Sequence, residues 1–387
     1  MRIFKHIHKP VCWTIATIII FSILAPSSLY AQREIQTIND SWKFRKGEYT
    51  AALDSTFKDD EWEDIHLPHT WNTDAYTEKD YYRGMGWYRR QIILPQDWIG
   101  KQVFLKLDAA SKATCIYING KKVGEHTGGY TASTLNITPF LSFNSPNMLV
   151  IRVDNARMDI PPISGDFTFF GGIYRDAWLI AVPSQHFNLT NHGSDGIFIT
   201  TPRVSEQQAT LSIHGEIRND AREKAVLELV HSIYHPDGTL LQTQKQFIQL
   251  KAGETRNFDS NISPILQPLL WTPETPYLYR VETTLFNCKT KSIVDQSNHH
   301  TGFRWFHFES NKGFYLNGKP YKLRGICRHQ DQKPIGVALT DEMHRRDMKL
   351  MKEMGANFIR ISHYPQDDAI IEMCDKLGML AWEEIPS

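Results

Sequence analysis

Neither sign of charge is in surplus: 43 lysines and arginines meet 43 aspartates and glutamates in 387 residues. Without a basic excess there is no long-range pull on polyanions, so nucleic acid drops out of the leading partner classes. Cysteine is scarce as well. Beyond Cys12, the four at Cys115, Cys288, Cys327 and Cys374 stand far apart, with no CxxC pair and no Cys/His pattern at metal-ligand spacing. They read as small buried side chains, with one disulfide open in an oxidising compartment. Neither a GxGxxG nor a GxxxxGK loop occurs, which removes the usual phosphate cradles, and the adjacent histidines of "NHH" at 298–300 are too close in sequence to share a metal. Only one long apolar run is present, "VCWTIATIIIFSILA" near the N-terminus. It follows Arg2, Lys5 and Lys9 and leads through small residues to Ala31. That layout is a secretory signal peptide over 1–31, shorter in its apolar part than the ~20 residues of a membrane span. The mature chain is therefore expected to be periplasmic or secreted, with no stable membrane span after cleavage.

Aromatic residues are what the sequence has in quantity, at 12%. Flat rings fill cores, and they also stack on the apolar faces of sugars. At 387 residues the chain exceeds one ordinary core, and two or three domains are expected. From 32 to 184 short alternating runs such as "VFLKLDAA" and "NMLVIRVDN" are cut by turn signals. In "IYINGKKV" the pair Asn119-Gly120 supplies the positive backbone angles of a tight hairpin. This segment reads as an all-β sandwich. A second β block over 185–303 contains the turn Pro236-Asp237-Gly238 and has the size of an immunoglobulin-like sandwich.

From 304 to 387 the period changes. "YKLRGI", "NFIRIS" and "MLAWEEI" read as buried strands, and two helices lie between them. The first has Thr340 as N-cap, Met343, Leu350, Met351 and Met354 as its apolar face, and Gly355 as terminator; the second ends at Gly378. Strands alternating with helices at this spacing are parallel βαβ units, the start of a (β/α)8 barrel. A whole barrel takes ~250 residues, so a fragment of a longer chain is expected. In such barrels the C-terminal strand ends carry chemistry. Here those ends present Arg328 and His329, then His363 and Tyr364, then Glu383 and Glu384. Helix capping or mutual pairing beneath the loops is the alternative for each.

The stretch "GANFIRISHYPQDDAIIEMCDKLGMLAWEEIP" resembles a barrel signature of family 2 glycoside hydrolases, the β-galactosidase and β-glucuronidase superfamily. Asn357, Arg360, Ser362, His363, Tyr364, Pro365, Asp375 and Gly378 fall in the family's pattern; Ile361 replaces a residue that is usually small or polar. The blocks "NDSWKFRKG", "WEDIHLPHTWN", "GMGWYRR", "SGDFTFFGGIYRDAWL", "LWTPETPYLY", "GFRWFHF" and "GFYLNGKPYKLRGICRHQD" occur in the family's order. The resemblance implies a jelly-roll sugar-binding domain, an immunoglobulin-like domain and a TIM barrel. It also implies an exo-acting, retaining glycosidase acting on a glycan with a terminal β-linked sugar, most like a β-galactosidase, with β-glucuronidase or β-mannosidase as alternatives.

By the same resemblance His363 donates hydrogen bonds to sugar hydroxyls, Arg360 orients a nucleophilic carboxylate, Asp166 reaches the sugar from the first domain, with a turn aspartate beside Gly165 as the alternative, and Asn72 is a further sugar contact, with a turn or capping asparagine as the alternative. Glu384 and His329 are expected as supporting partners. Glu383 and Glu384 cannot be the catalytic pair, since adjacent strand residues point to opposite faces, and that pair is expected after Ser387. No metal is required; Mg2+ or Na+ through Asp166 is what some family members suggest. A homo-oligomer is compatible with the sequence. If the chain is complete, a non-catalytic carbohydrate-binding protein is the reading from another class.

Overall fold

The computed structural model describes residues 33–386. The expected signal peptide lies outside them. The first domain is two antiparallel sheets packed face to face. One orders its strands Glu63–Ile65, Trp42–Lys46, Met85–Ile92, Asn147–Asp154, Ala113–Ile118 and Lys121–Thr127; the other orders Glu34–Thr37, Ala177–Val182, Gln102–Leu107 and Ser133–Asn136. Inward positions supply the core. Trp42, Tyr88, Leu105, Ile116, Ile151 and Leu179 are all buried there. The hairpin at Asn119-Gly120 forms as expected, with φ of 50° and 77°, the left-handed pair that matches strand twist.

The second sandwich pairs Gln208–Asn219 with Thr255–Leu266 in one sheet, and Ala225–Tyr234 with Leu240–Leu250 and Tyr279–Asn287 in the other. In Gln208–Asn219 nearly every second residue turns into the core: Ala209, Leu211, Ile213 and Ile217. The turn at Pro236-Asp237-Gly238 closes with Gly238 N–H donating to the His235 carbonyl at 2.8 Å.

The last region is a short antiparallel sheet of Phe306–Glu309, Gly313–Leu316 and Lys319–Pro320, followed by three parallel strands in the order Gly325–Arg328, Phe358–Ile361, Leu380–Glu383. Helices Asp341–Glu353 and Asp368–Leu377 connect them. Both caps form: Thr340 Oγ1 accepts from Met343 N–H, and Gly378 adopts φ 74° at the end of the second helix.

Two expectations are corrected. The first strand begins at Gly325, not Tyr321, because Arg324 and Lys322 tie instead to the Asn357 side chain, which bonds Arg324 N–H at 2.7 Å and the Lys322 carbonyl at 2.9 Å. The helix Asp341–Glu353 also buries a different face. His344 and Met348 turn inward, whereas Leu350 and Met354 are 47% and 78% exposed. Positions 344, 348 and 351 form the stripe over the sheet, and 343, 350 and 354 lie on the neighbouring stripe.

Candidate functional site

Along Phe358–Ile361, Ile359 and Ile361 are fully buried toward the helices, which turns Arg360 to the opposite side of the sheet. Arg360 pairs in register with Trp382, so Glu384, two residues on, lies on the same side one step further along. The outcome is a compact triad. Arg360 donates to Glu384 through Nε at 2.6 Å and Nη2 at 3.2 Å, and His363 Nδ1 lies 2.9 Å from Glu384 Oε2. The Arg360 guanidinium and then the His363 ring hold the Glu384 carboxyl below the usual glutamate range. An ionised carboxylate can only accept. Nδ1 must therefore carry the proton it shares with Glu384, which directs His363 Nε2 away from that partner. A neutral ring in this tautomer accepts a sugar O–H at Nε2, and only the imidazolium donates there.

Glu383 faces the other way, as the alternation of a strand requires. Its carboxyl is raised by burial, with the Asp368 charge adding to the effect. Arg328 is also not available to a ligand. It is 5% exposed and donates to Asp347 at 2.7 Å, Gln366 at 2.7 Å and His344 at 3.0 Å, the pairing beneath the loops that was the alternative for such residues. His329 is exposed beside His363, with ring centroids 5.2 Å apart edge to face. It lies alongside the triad, while Glu384 lies behind His363.

The jelly roll reaches this place through the loop between its strands Asn147–Asp154 and Ala177–Val182. Asp166 on that loop is exposed, and among the described residues no hydrogen bond or ion pair engages it. The next residue, Phe167, stacks on His363 at 5.6 Å and meets Tyr364 at 5.4 Å. Tyr130 stacks on Tyr364 at 4.0 Å. A second loop sends Tyr76 Oη to Asp331 at 2.8 Å. Asp166, Arg360, His363 and Glu384 thus belong to one region, and Phe167 is the member that sequence reasoning missed. The crowding of rings in "GDFTFFGG" was the available signal.

Asn72 is a correction. It is fully buried, donates to the Tyr82 carbonyl at 2.8 Å, and accepts from Gly171 N–H at 2.8 Å. Its amide is committed to holding Gly171, whose added Cβ would lie 2.1 Å from the Trp71 ring. A sugar cannot reach it.

A separate cavity of about 550 Å³ lies between jelly roll and barrel, lined in part by Asp108, Asp176, Asp341, Asp367 and Asp368. Burial raises the carboxyls of Asp176, to about 6, and of Asp341, and neighbouring aspartates add to both. Asp367 caps the second barrel helix, accepting from Ala369 N–H at 2.9 Å, and Arg345 bonds Asp341 at 2.7 Å. Among the described residues no three His, Cys, Asp or Glu side chains converge as a metal cage.

Comparison with known proteins now decides the family. Residues 31–183 match the family model "Glycosyl hydrolases family 2, sugar binding domain", 195–304 match "Glycosyl hydrolases family 2", and 309–387 match "Glycosyl hydrolases family 2, TIM barrel domain".

The chain belongs to glycosyl hydrolase family 2.

Within this family it is 35% identical over 373 residues to a β-glucuronidase of Bacteroides fragilis, covering 95% of this chain and 52% of that protein. A β-galactosidase of Thermoanaerobacter pseudethanolicus is 30% identical, covering 92% and 47%. Among solved structures, Bacteroides uniformis β-glucuronidase 2 covalently bound to cyclophellitol-6-carboxylate aziridine shares 76% identity and a TM-score of 0.91 over 92% of this chain and 42% of that one. A D341A D367A calcium binding mutant of the same enzyme matches with a TM-score of 0.88 at 76% identity, over 92% and 43%. The chain thus spans about half the length of the curated relatives it matches. Its three domain types, two β sandwiches and the opening of a TIM barrel, are those of the family.

Proposed function

We propose that this chain forms the sugar-recognising part of an exo-acting, retaining β-glycosidase whose preferred terminal sugar is glucuronic acid. The observation that carries the reading is its 76% identity to a β-glucuronidase solved with a carboxylate-bearing cyclitol covalently attached. That identity supports glucuronic acid over the galactose expected from sequence motifs, since a similar protein named β-galactosidase is 30% identical. The strand-end triad supports the reaction class. Glu384 fixes the tautomer of His363, His363 Nε2 meets a sugar hydroxyl, and hydrogen bonds at that hydroxyl strengthen as oxocarbenium character develops. Asp166 accepts from another hydroxyl of the same ring.

Retention requires two carboxyl groups ~5 Å apart. Glu383 and Glu384 point to opposite faces and Glu384 is engaged by the Arg360 guanidinium and by His363 Nδ1, so we assign the acid/base and the nucleophile to barrel strands outside this chain. The enzyme carrying the complete barrel is expected to hydrolyse p-nitrophenyl β-D-glucuronide with kcat/KM at least tenfold above that for the galactoside. Equal rates, or a preference for galactoside, would refute the sugar assignment.

We further propose a calcium ion held by Asp341 and Asp367 in place of Mg2+ or Na+ at Asp166. Aspartates stand at both numbers altered in the Bacteroides uniformis calcium binding mutant. The residues fit the ion: burial, with the Asp367 charge adding to it, raises the Asp341 carboxyl, a cation would offset both, and calcium completes its six to eight oxygens with carbonyls and water. When bound, calcium supplies fixed positive charge and tethers two helix N-termini. Calcium should raise the melting temperature of this chain, and D341A with D367A should abolish the rise. An unchanged melting temperature with calcium present argues against the site. Export is proposed on the N-terminal pattern, and N-terminal sequencing of extracellular protein beginning near Gln32 is its test.

A further inference from the structure

We infer that Phe167 is a positioning residue that fixes the imidazole of His363 for the sugar. This rests on the glycosidase reading above and adds a residue to it.

His363 is held at Nδ1 alone, by Glu384 Oε2 at 2.9 Å with Arg360 Nη2 3.3 Å from the same nitrogen, and contacts at one ring atom leave the imidazole free to swing about it. Phe167 removes the freedom. Its ring lies nearly parallel to the imidazole, with centroids 5.6 Å apart and planes 25° apart, and His329 stands edge-on from another direction at 5.2 Å. The Phe167 edge also meets the Tyr364 ring at 5.4 Å. To leave Glu384 by tilting toward Phe167, the imidazole would have to displace a side chain belonging to a different domain.

Phe167 is itself anchored. Phe169 packs against it at 5.2 Å and is buried, with the Arg83 guanidinium 4.8 Å and the Lys112 ammonium 5.4 Å from its ring centre. Lys112 is 1% exposed, and its ammonium donates to the carbonyls of Arg157 at 2.8 Å, Ile160 at 3.0 Å and Pro162 at 2.8 Å. Three donors of one ammonium thereby gather the stem of the loop that carries Asp166 and Phe167. The route from the jelly-roll core to the imidazole runs through packed and bonded groups throughout. Because a misplacement of about 1 Å at a reacting centre costs ~10²-fold in rate, a residue that fixes His363 has kinetic weight without touching the scissile bond.

The first test uses this chain alone. The imidazole C–H resonances of His363, assigned with His363→Gln, are followed in wild type, Phe167→Leu and Phe167→Tyr. Loss of the stacked ring should move them downfield in Phe167→Leu, and Phe167→Tyr should keep them near the wild-type positions. Unchanged resonances in Phe167→Leu would overturn the assignment. The second test is kinetic, in the enzyme with its complete barrel. Phe167→Leu should lower kcat by about 10²-fold with a smaller change in KM, Phe167→Tyr should restore most of it, and in a His363→Ala background Phe167→Leu should add little. Losses that multiply across the two sites would overturn a role exercised through His363. If the resonances move but wild-type enzyme cleaves neither glucuronide nor galactoside, the packing role stands and the glycosidase reading falls.

Discussion

Replacing Asn72 with alanine separates two accounts of a residue that the family pattern places at the sugar. In the structure its amide bridges the Tyr82 carbonyl, at 2.8 Å, and the Gly171 amide, at 2.8 Å, with Asn155 Nδ2 at 3.3 Å as a third neighbour. Asn155 keeps its bond to the Phe169 carbonyl in the variant, so its loss is small. The other two groups lose a partner in a place that water does not reach, since Asn72 is fully buried. Each unsatisfied group costs ~1–3 kcal/mol, and partial relaxation brings the sum to about 2–4 kcal/mol. Urea unfolding followed by tryptophan fluorescence, with Trp71 packed beside the site, should show the jelly-roll transition at lower denaturant with its slope unchanged. Asn72→Asp keeps an acceptor for Gly171 N–H, lacks the donor for Tyr82, and introduces a buried charge, so it should be no better. Wild-type stability in Asn72→Ala, combined with weakened sugar binding, would refute the structural account and return Asn72 to the ligand.

His363→Ala should lower kcat of the complete enzyme by roughly 10²-fold, measured with an aryl glucuronide, and near-normal turnover would remove it from the site. His231 is buried between Thr283 and Ser260, and burial lowers its pKa to about 4. The unfolded chain binds that proton near pH 6.5 and the folded one does not until about 4, so stability should fall as pH drops through this window; His231→Gln should flatten the fall in urea titrations. The Cys374 thiol is pushed up to about 12 by burial, with the Asp375 and Glu383 charges adding to it. Iodoacetamide at pH 8 should therefore modify the exposed Cys327 and spare Cys374 in the native chain, as read by peptide mass.

What the sequence revealed and what it concealed divide along physical lines. Hairpin turns, caps and parallel strand–helix alternation were legible because each rests on local chemistry: Asn119-Gly120, Thr340 and Gly378 act through their own backbone angles and nearest amides. Alternation along a strand also predicted that Glu383 and Glu384 part company, and they do. The buried face of Asp341–Glu353 was misread because methionine and leucine count as apolar in any pattern, whereas the burial of His344 depends on Arg328, a partner 16 residues earlier. Asn72 misled for a similar reason. Its identity fits a sugar contact and a loop brace equally well, and only its distance to Gly171, 99 residues on, separates the two. Phe167 was hidden because a stack between a jelly-roll loop and a barrel strand end leaves no periodic trace.

The measurement that bears most directly on the central claim is the structure of the complete enzyme with a glucuronic-acid-configured inhibitor bound. The account predicts the sugar ring against Phe167, with His363 Nε2 and the Asp166 carboxylate each within ~3 Å of a ring hydroxyl and Glu384 still bonded to His363 Nδ1. A sugar seated away from the ends of Phe358–Ile361 and Leu380–Glu383, with His363 turned off Glu384, would contradict it.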